Sequence, residues 1–253
     1  MSFRLKTKED INKIRSGGKL LGDILRRTAK LVKPGISTWE LNEFAEKEIV
    51  KIGGRPSFKG FGPKGREFPA GLCTSVNSEV VHGVPSKKHI LEEGDIIGLD
   101  IGMEYQGRYT DMAITVPVGK VDKQTQKLMD VCKEALRLAI AQAKPGNRIG
   151  DIAYATQSYV EKNGFNVVRD LVGHGVGFEV HEEPSVPCYG KAGTGLVLEE
   201  GMVLAIEPMV TIGGYKLGMM EDDWTLATAD GSSAAHFEHT IAIGPKGPEI
   251  LTA

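Results

Sequence analysis

The sequence predicts a mixed α/β (α+β) protein made of two similar halves, each combining amphipathic helices with apolar strands. The clearest sign is a repeated motif. Leu-Glu-Glu-Gly at 91–94 is followed by a short apolar run and Asp100, and the same four residues at 198–201 are followed, at the same spacing, by Glu207. Because short apolar runs bounded by glycine and acidic residues are typical of buried strands, each motif predicts a strand that carries a carboxylate.

Further matches extend the repeat over most of the chain. Lys-Pro-Gly occurs at 33–35 and again at 144–146, and each time it separates two helix-like segments. In both halves the predicted order is helix, helix, strands with a histidine, and a strand with an acid. One repeat of about 100 residues indicates a single duplication rather than a solenoid. We therefore expect one domain over residues 1–253, with halves at roughly 8–117 and 122–253.

The first half is expected to begin with two helices. Thr7, with Asp10 three residues later, resembles a capping box, and apolar residues follow at helical spacing. Ser37 with Glu40 is a second capping box, and Gly53-Gly54 ends the helix that it begins.

The second half repeats this pair of helices. One helix is expected to begin near Asp122, and the next to run from about Gly150 to Asn163-Gly164. Glycine and proline are frequent at 53–71 and 184–195, and this composition predicts loops there.

The residues after Asp100 predict a β-hairpin with its turn at Gln106-Gly107. If the residues on either side of this turn pair with each other, Asp111 lies opposite Gly102. Asp100 and Asp111 are then diagonal neighbours on one face of the hairpin. Two carboxylates at that separation repel each other unless one is protonated or a cation lies between them.

The second half supplies further candidate metal ligands. Glu207 follows an apolar run, Glu238 precedes another, and His174 lies among glycines at 173–177, where the backbone can approach a ligand closely. Together with Asp100 and Asp111, these residues give four carboxylates and one imidazole, a set that can balance two divalent cations. Ligation mostly by oxygen favours Mn, Fe(II) or Co over a structural zinc ion.

This ordered set, together with Val81-His82-Gly83 and the Val-His-Glu-Glu-Pro stretch at 180–184, resembles the type I methionine aminopeptidases over nearly the whole chain. No large insertion separates His174 from Glu207, which distinguishes the sequence from the type II class. The resemblance implies the pita-bread fold, in which two pseudo-symmetric αβ halves surround a central dimetal site.

The same resemblance implies an enzymatic activity. It is the removal of the initiator methionine from nascent proteins by attack of metal-activated water on the first peptide bond, with a preference for small second residues. The cofactors it implies are two divalent metal ions, which are Fe, Mn, Co or Zn.

Each candidate ligand has a role by this resemblance. Asp100 would bind one metal ion, His174 and Glu207 would bind the other, and Asp111 and Glu238 would bridge the two.

Three residues are implied to act on the substrate. Glu207 would also pass a proton to the leaving amine, His181 would stabilise the oxyanion, and His82 would contact the scissile amide nitrogen. These three are the expected catalytic residues, and both histidines are also expected to bind the substrate.

The resemblance also suggests residues of the methionine pocket. Cys73 and Trp224 fit pocket positions by their spacing from the motifs, and Phe68 is a further candidate. The loop at 59–71 is a few residues longer and less rich in tyrosine than the family pattern, and Val180 stands where an aromatic residue is common. We expect these departures to affect the pocket and not the metal chemistry.

Composition excludes several other classes of protein. The 253 residues carry a net charge of −2, which gives no electrostatic footprint for nucleic acid. No apolar run approaches the roughly 20 residues that span a bilayer, and the N-terminus lacks the apolar core of a signal peptide. The three widely spaced cysteines predict reduced thiols. We therefore expect a cytoplasmic monomer that acts on the N-termini of nascent polypeptides, while docking at the ribosome exit region stays open.

Two other functions are open on the same fold. A Xaa-Pro peptidase would typically carry a large N-terminal domain, whereas here the repeat begins within about ten residues of Met1. A catalytically silent binding protein would have lost ligands, whereas all five are present. Among the other candidates, His236 and His239 flank Glu238 and are expected to lie beside the ligand set or on the strand surface, and Cys132 is expected to pack in a helix.

Overall fold

The computed structural model describes residues 3–253. Over these residues the chain forms four helices and fifteen strands, and none of the helices has both the length and the apolar character needed to cross a membrane. The helices are α1 (Lys8–Ala29), α2 (Thr38–Lys51), α3 (Lys123–Gln142) and α4 (Ile149–Lys162). The strands are β1 (Arg55–Pro56), β2 (Leu72–Val76), β3 (Glu79–Val81), β4 (Ile96–Tyr105), β5 (Arg108–Pro117), β6 (Asn166–Val167), β7 (Val172–Gly175), β8 (Glu182–Pro187), β9 (Val203–Ile206), β10 (Met209–Thr211), β11 (Leu217–Met219), β12 (Leu226–Thr228), β13 (Ala234–His236), β14 (His239–Gly244) and β15 (Gly247–Ile250).

All four predicted helices are present, and side-chain caps explain the starts of α1, α2 and α3. Thr7 caps α1, and the Asp10 carboxylate accepts hydrogen bonds from the Thr7 backbone N–H at 2.9 Å and from its hydroxyl at 2.7 Å. Ser37 and Glu40 make the same reciprocal arrangement at the start of α2, and Asp122 caps α3. These caps satisfy backbone N–H groups that a helix leaves unpaired at its first turn.

The predicted hairpin is confirmed in its register. Gly102 pairs with Asp111 and Asp100 pairs with Ala113, so both acids lie on the same face of the β4–β5 pair. Strand β5 pairs along one edge of β4, and β2 and β1 pair with successive parts of its other edge. Helices α1 and α2 cover this sheet with a buried cluster that includes Leu25.

The second half is built around a five-stranded sheet in the order β15-β14-β9-β7-β8, with α3 and α4 contributing to a buried cluster against it. The expectation of a loop over 184–195 is wrong at its beginning, because β8 covers Glu182–Pro187 and pairs with β7. Its two prolines, Pro184 and Pro187, are tolerated because β8 is an edge strand.

Backbone contacts join the two halves where the acidic residues lie. The Glu238 N–H donates to the Ala113 carbonyl at 2.9 Å. The Asp111 N–H donates to the Thr240 hydroxyl at 2.9 Å, and that hydroxyl donates back to the Asp111 carbonyl at 2.8 Å. Because these bonds link β5 with the segment around β14, they fix the acids of one half against those of the other.

Candidate metal centre and active site

Two acids of the site come from the first-half hairpin. Asp111 is almost completely buried, and Asp100, its diagonal neighbour across β4 and β5, is partly covered. Burial raises the pKa of Asp100 to about 6. Burial and the nearby Asp100 carboxylate raise the pKa of Asp111 well above its usual range. The pair is therefore costly to ionise without a compensating charge.

Three more candidate ligands come from the second half. His174 lies on β7, Glu207 follows the end of β9, and Glu238 lies between β13 and β14. His174 Nε2 is 3.6 Å from Glu207 Oε1 and 4.0 Å from Asp111 Oδ2. Glu238 is 1% exposed, and burial together with Asp111 raises the pKa of its carboxyl.

The tautomer of His174 follows from its hydrogen bond. Its Nδ1 lies 2.9 Å from the Gly175 carbonyl oxygen, which can only accept. Nδ1 therefore carries the proton and donates, and Nε2 presents its lone pair to the acids. A histidine oriented in this way is typical of a metal ligand whose other nitrogen is held by the backbone.

The five residues fit divalent cations. The ligand atoms form three overlapping groups, and within each group the atoms lie within 4.8 Å of one another. The groups are Asp100, Asp111 and Glu238; His174, Glu207 and Glu238; and Asp111, His174 and His181. Asp100 Oδ1, Asp111 Oδ1 and Glu238 Oε1 are buried and have no hydrogen-bond partner among residues 3–253. Buried carboxylate oxygens without partners are unfavourable, and a cation removes that penalty.

The backbone at Glu207 is held by two buried thiols. Cys188 Sγ lies 3.4 Å from the Glu207 carbonyl oxygen, and Cys132 Sγ lies 3.2 Å from that of Pro208. Burial raises the pKa of both thiols, that of Cys188 to about 12, so each keeps its proton and can donate it. Cys132 packs in its helix as expected, and it also contacts the segment that carries Glu207.

Two further histidines face the same space. The ring of His181 lies 4.4 Å from that of His174 in an edge-to-face arrangement. Burial and the neighbouring His174 lower the pKa of His181 to about 4, and burial lowers the pKa of His82. His82 has a φ of 58°, and a side chain at Gly83 would overlap the Thr74 carbonyl. The backbone at Gly83 therefore packs directly against β2, and a residue with a side chain could not approach it this closely.

The candidate ligands and both histidines line one cavity of about 640 Å³. The predicted pocket residues Cys73, Phe68 and Trp224 line it as well, and the rings of the last two are 5.3 Å apart, edge to face. The structure therefore brings every predicted site residue to the same place.

Sequence reasoning missed several residues of this cavity. Phe61, noted only as part of an unusual loop, lies with its ring 5.0 Å from that of His181. Phe3 and Arg4 from the N-terminal segment also line the cavity, and no sequence motif indicated this. His236, expected only to flank the ligand set, places its Nε2 3.3 Å from Glu207 Oε2.

Comparison with known proteins agrees with this site. The pattern of metallopeptidase family M24 matches residues 12–245. The chain is 48% identical to a methionine aminopeptidase of Clostridium acetobutylicum and 45% identical to methionine aminopeptidase 1 of Bacillus subtilis, each over 98% of both chains. The crystal structure of methionine aminopeptidase from Thermotoga maritima superposes with a TM-score of 0.96 at 46% identity, covering 99% of each chain.

A more distant structure shares the fold alone. The prolidase from Pyrococcus horikoshii is 24% identical with a TM-score of 0.76, and this chain covers 63% of its length. The predicted α/β (α+β) pita-bread architecture is thus confirmed, together with a metal-dependent hydrolase activity. The chain belongs to metallopeptidase family M24 and, within that family, to the methionine aminopeptidases.

Proposed function

We propose that this protein removes methionine from the N-termini of polypeptides in which the second residue is small. The observation that supports this most directly is a single cavity with unpartnered carboxylate oxygens on one side and apolar and aromatic side chains on the other. The acids would bind metal, and the apolar wall formed by Phe68, Cys73 and Trp224 would receive the methionine side chain. Apolar walls with a few well-placed polar groups are typical of small-molecule and side-chain pockets.

The ligand groups support two metal ions rather than one. Asp111, Glu238 and His174 each belong to two of the three groups of close ligand atoms, and of these only the two carboxylates have a second oxygen with which to bridge two ions. Asp100 would complete one site, while His174 and Glu207 would complete the other. When bound, two such ions supply Lewis acidity and a hydroxide nucleophile at neutral pH.

The protein's own residues would orient the substrate and move protons. His181 is neutral because its pKa is about 4, so a ring N–H is free to donate to the carbonyl oxygen as negative charge develops there. His82, which is also uncharged because burial lowers its pKa, would contact the amide nitrogen.

Glu207 would take up the proton and deliver it to the leaving amine. Burial alone would raise the pKa of Glu207, but its imidazole surroundings, chiefly His236, outweigh burial and lower it. The carboxylate is therefore ionised and able to act as a base.

The preference for small second residues would come from the covered cavity. Phe61 lies against His181 at the cavity wall, which limits the room beyond the scissile bond. In a shaped apolar site, one extra methylene changes the binding free energy by about 1–3 kcal/mol.

We further propose that residues 1–253 act as one catalytic domain, because ligands from both halves form the centre. The substrates would be nascent chains in the cytoplasm, and the protein would work as a monomer. Three free cysteines, all buried, agree with a reducing compartment.

Cleavage of defined peptides tests the proposal. Metal-stripped protein is assayed on Met-Ala-Ser, Leu-Ala-Ser, Met-Leu-Ser and Ala-Pro-Ser, with Mn, Fe(II) or Co restored. We expect metal-dependent release of methionine from Met-Ala-Ser and little action on the other three peptides. Preferential cleavage of Ala-Pro-Ser would instead indicate a Xaa-Pro peptidase, and no cleavage with any metal would indicate a binding protein.

Two variants test the assigned roles. Glu207→Gln should abolish turnover while the fold, measured by circular dichroism, is retained; near-normal turnover would remove Glu207 from the mechanism. His181→Ala should lower kcat far more than metal content. Because His181 also belongs to a group of close ligand atoms with Asp111 and His174, a matching loss of metal would make it a ligand instead.

A further inference from the structure

The carboxylate of Glu207 lies between two imidazoles. Its Oε1 is 3.6 Å from His174 Nε2, and its Oε2 is 3.3 Å from His236 Nε2. The two oxygens of one candidate ligand thus face different partners, only one of which belongs to the ligand set.

His236 has little freedom to move away from this position. It is 3% exposed and lies on β13, where it pairs with Met209. The backbone N–H of His236 donates to the Thr115 hydroxyl at 2.9 Å, and that hydroxyl donates to the backbone carbonyl of His236 at 2.8 Å. The first half of the chain, through Thr115 on β5, therefore fixes the backbone from which this imidazole projects.

The polar partners near His236 Nε2 are carboxylate oxygens. Glu207 Oε2 is the nearer, and Glu238 Oε2 lies at 4.0 Å. Because carboxylates only accept, the nitrogen that faces them carries the hydrogen and donates. The 3.3 Å contact between the buried Nε2 and Glu207 Oε2 does not have the angle of a hydrogen bond. Such contacts commonly become shorter and better aligned when a site binds its ligand.

We propose that His236 is a positioning residue for the metal centre, whose Nε2–H holds Oε2 of Glu207 so that Oε1 stays turned toward His174. The inference rests on the proposed function to the extent that Glu207 is taken as a metal ligand. Ligating carboxylates are themselves held by hydrogen bonds, and loss of such a partner typically lowers metal affinity by about 10–100-fold.

Matched variants at His236 test this role. Glutamine places an amide nitrogen at about the position of the imidazole Nε2, whereas the shorter asparagine does not reach it. Metal-free protein is titrated with Mn²⁺ by calorimetry for the wild type, His236→Gln and His236→Asn. We expect His236→Gln to bind nearly as tightly as the wild type, and His236→Asn to lose about 10–100-fold in affinity.

His239 provides a control three residues away. It is half-buried, and its Nδ1 lies 2.9 Å from the Thr252 hydroxyl rather than near the acids. His239→Gln should lower thermal stability without changing Mn²⁺ affinity. Circular dichroism of the metal-free variants establishes that each is folded.

Several outcomes would overturn the proposal. Wild-type Mn²⁺ affinity in folded His236→Asn would do so, as would equal losses in His236→Gln and His236→Asn, or a loss in His239→Gln as large as that in His236→Asn. Kinetics provide a second measure, since the apparent kcat on Met-Ala-Ser at sub-saturating Mn²⁺ should follow the metal affinity while KM for the peptide changes little. If wild-type protein binds Mn²⁺ but cleaves no methionyl peptide, the proposed function fails, and the affinity series still decides the role of His236.

Discussion

Helix α1 packs two of its glycines directly against the C-terminal segment of the chain. A Cβ atom at Gly18 would lie 2.8 Å from the carbonyl carbon of Leu251 and closer still to its oxygen, and one at Gly22 would lie 2.6 Å from the Thr252 oxygen. Leu251 and Thr252 are both 0% exposed. The helix and the C-terminal segment can approach this closely only because these positions lack side chains.

The substitution Gly18→Ala sets two effects against each other. Replacing glycine inside a helix by alanine stabilises it by about 1 kcal/mol. Overpacking costs about 1–3 kcal/mol, and the upper end applies here because the obstacle is backbone that has no alternative rotamer. Leu251 cannot simply withdraw, since its N–H donates to the Thr240 carbonyl at 2.9 Å. We expect a net loss of about 2 kcal/mol, which for a chain of this length lowers Tm by roughly 4–8 °C.

The neighbouring Gly17 supplies the control. A Cβ there would lie 3.3 Å from Cβ of Tyr105, so a shift of a few tenths of an ångström restores an ordinary contact, far less than Gly18 requires. Gly17→Ala should therefore be neutral or stabilising. The free energy of unfolding is measured by urea titration of the metal-free proteins, which avoids the contribution of bound ions. The reasoning is refuted if Gly18→Ala is as stable as Gly17→Ala.

Three further predictions concern an ion pair, the thiols and the cavity wall. Burial alone would raise the pKa of Asp10, but hydrogen bonds from Thr7 and Arg108 outweigh it and lower the pKa to about 2. Because a free aspartate titrates near 3.9, this stabilisation of about 2.5 kcal/mol is fully present well above pH 4 and is lost as the pH falls through 2. Asp10→Asn should remove that pH dependence in urea unfolding, and an unchanged profile would contradict the ion pair. All three cysteines are buried and have raised pKa values, so Ellman's reagent should modify them slowly in the native protein. In guanidinium, about three equivalents should react. Rapid reaction of one thiol in the native protein would contradict its burial. Phe61→Ala should lower kcat/KM on Met-Ala-Ser several-fold but leave Mn²⁺ affinity unchanged, because its ring contacts His181 and not the acids; a parallel loss of Mn²⁺ affinity would place Phe61 in the support of the metal centre.

The sequence was sufficient wherever the structure depends on local rules. Helix starts at Thr7, Ser37 and Asp122 follow from side chains three residues or fewer from the capped backbone. The alignment of Asp100 with Asp111 follows from strand parity, which a small error in the turn does not change. The spacing of Asp100 and Asp111 in the sequence was therefore enough to predict that they are neighbours in the hairpin.

Contacts between distant parts of the chain were not accessible in this way. His236 reaches Glu207 through the pairing of β13 with β10, and its backbone is fixed by Thr115, 121 positions away. Phe61 meets His181 only through the conformation of a loop, in which the Phe68 N–H donates to the Phe61 carbonyl at 2.8 Å. No periodicity encodes these distances, so only the folded structure reveals them.

The duplicated motif also turns out to be asymmetric in structure. Asp100 lies in the middle of β4, which continues to Tyr105, whereas β9 ends at Ile206 and Glu207 lies just beyond it. Pro208 follows Glu207 and cannot donate a ladder hydrogen bond, which explains why the second strand stops where the first continues.

This asymmetry gives the two related acids different electrostatic environments. Burial raises the pKa of Asp100 to about 6, whereas the imidazole surroundings of Glu207, chiefly His236, outweigh its burial and lower its pKa. An acid that is costly to ionise benefits most from a cation, and an acid that is already ionised beside imidazoles is suited to accept and return a proton. A repeated sequence motif can thus yield two distinct chemical roles, because the strand that carries it ends in one half and not in the other.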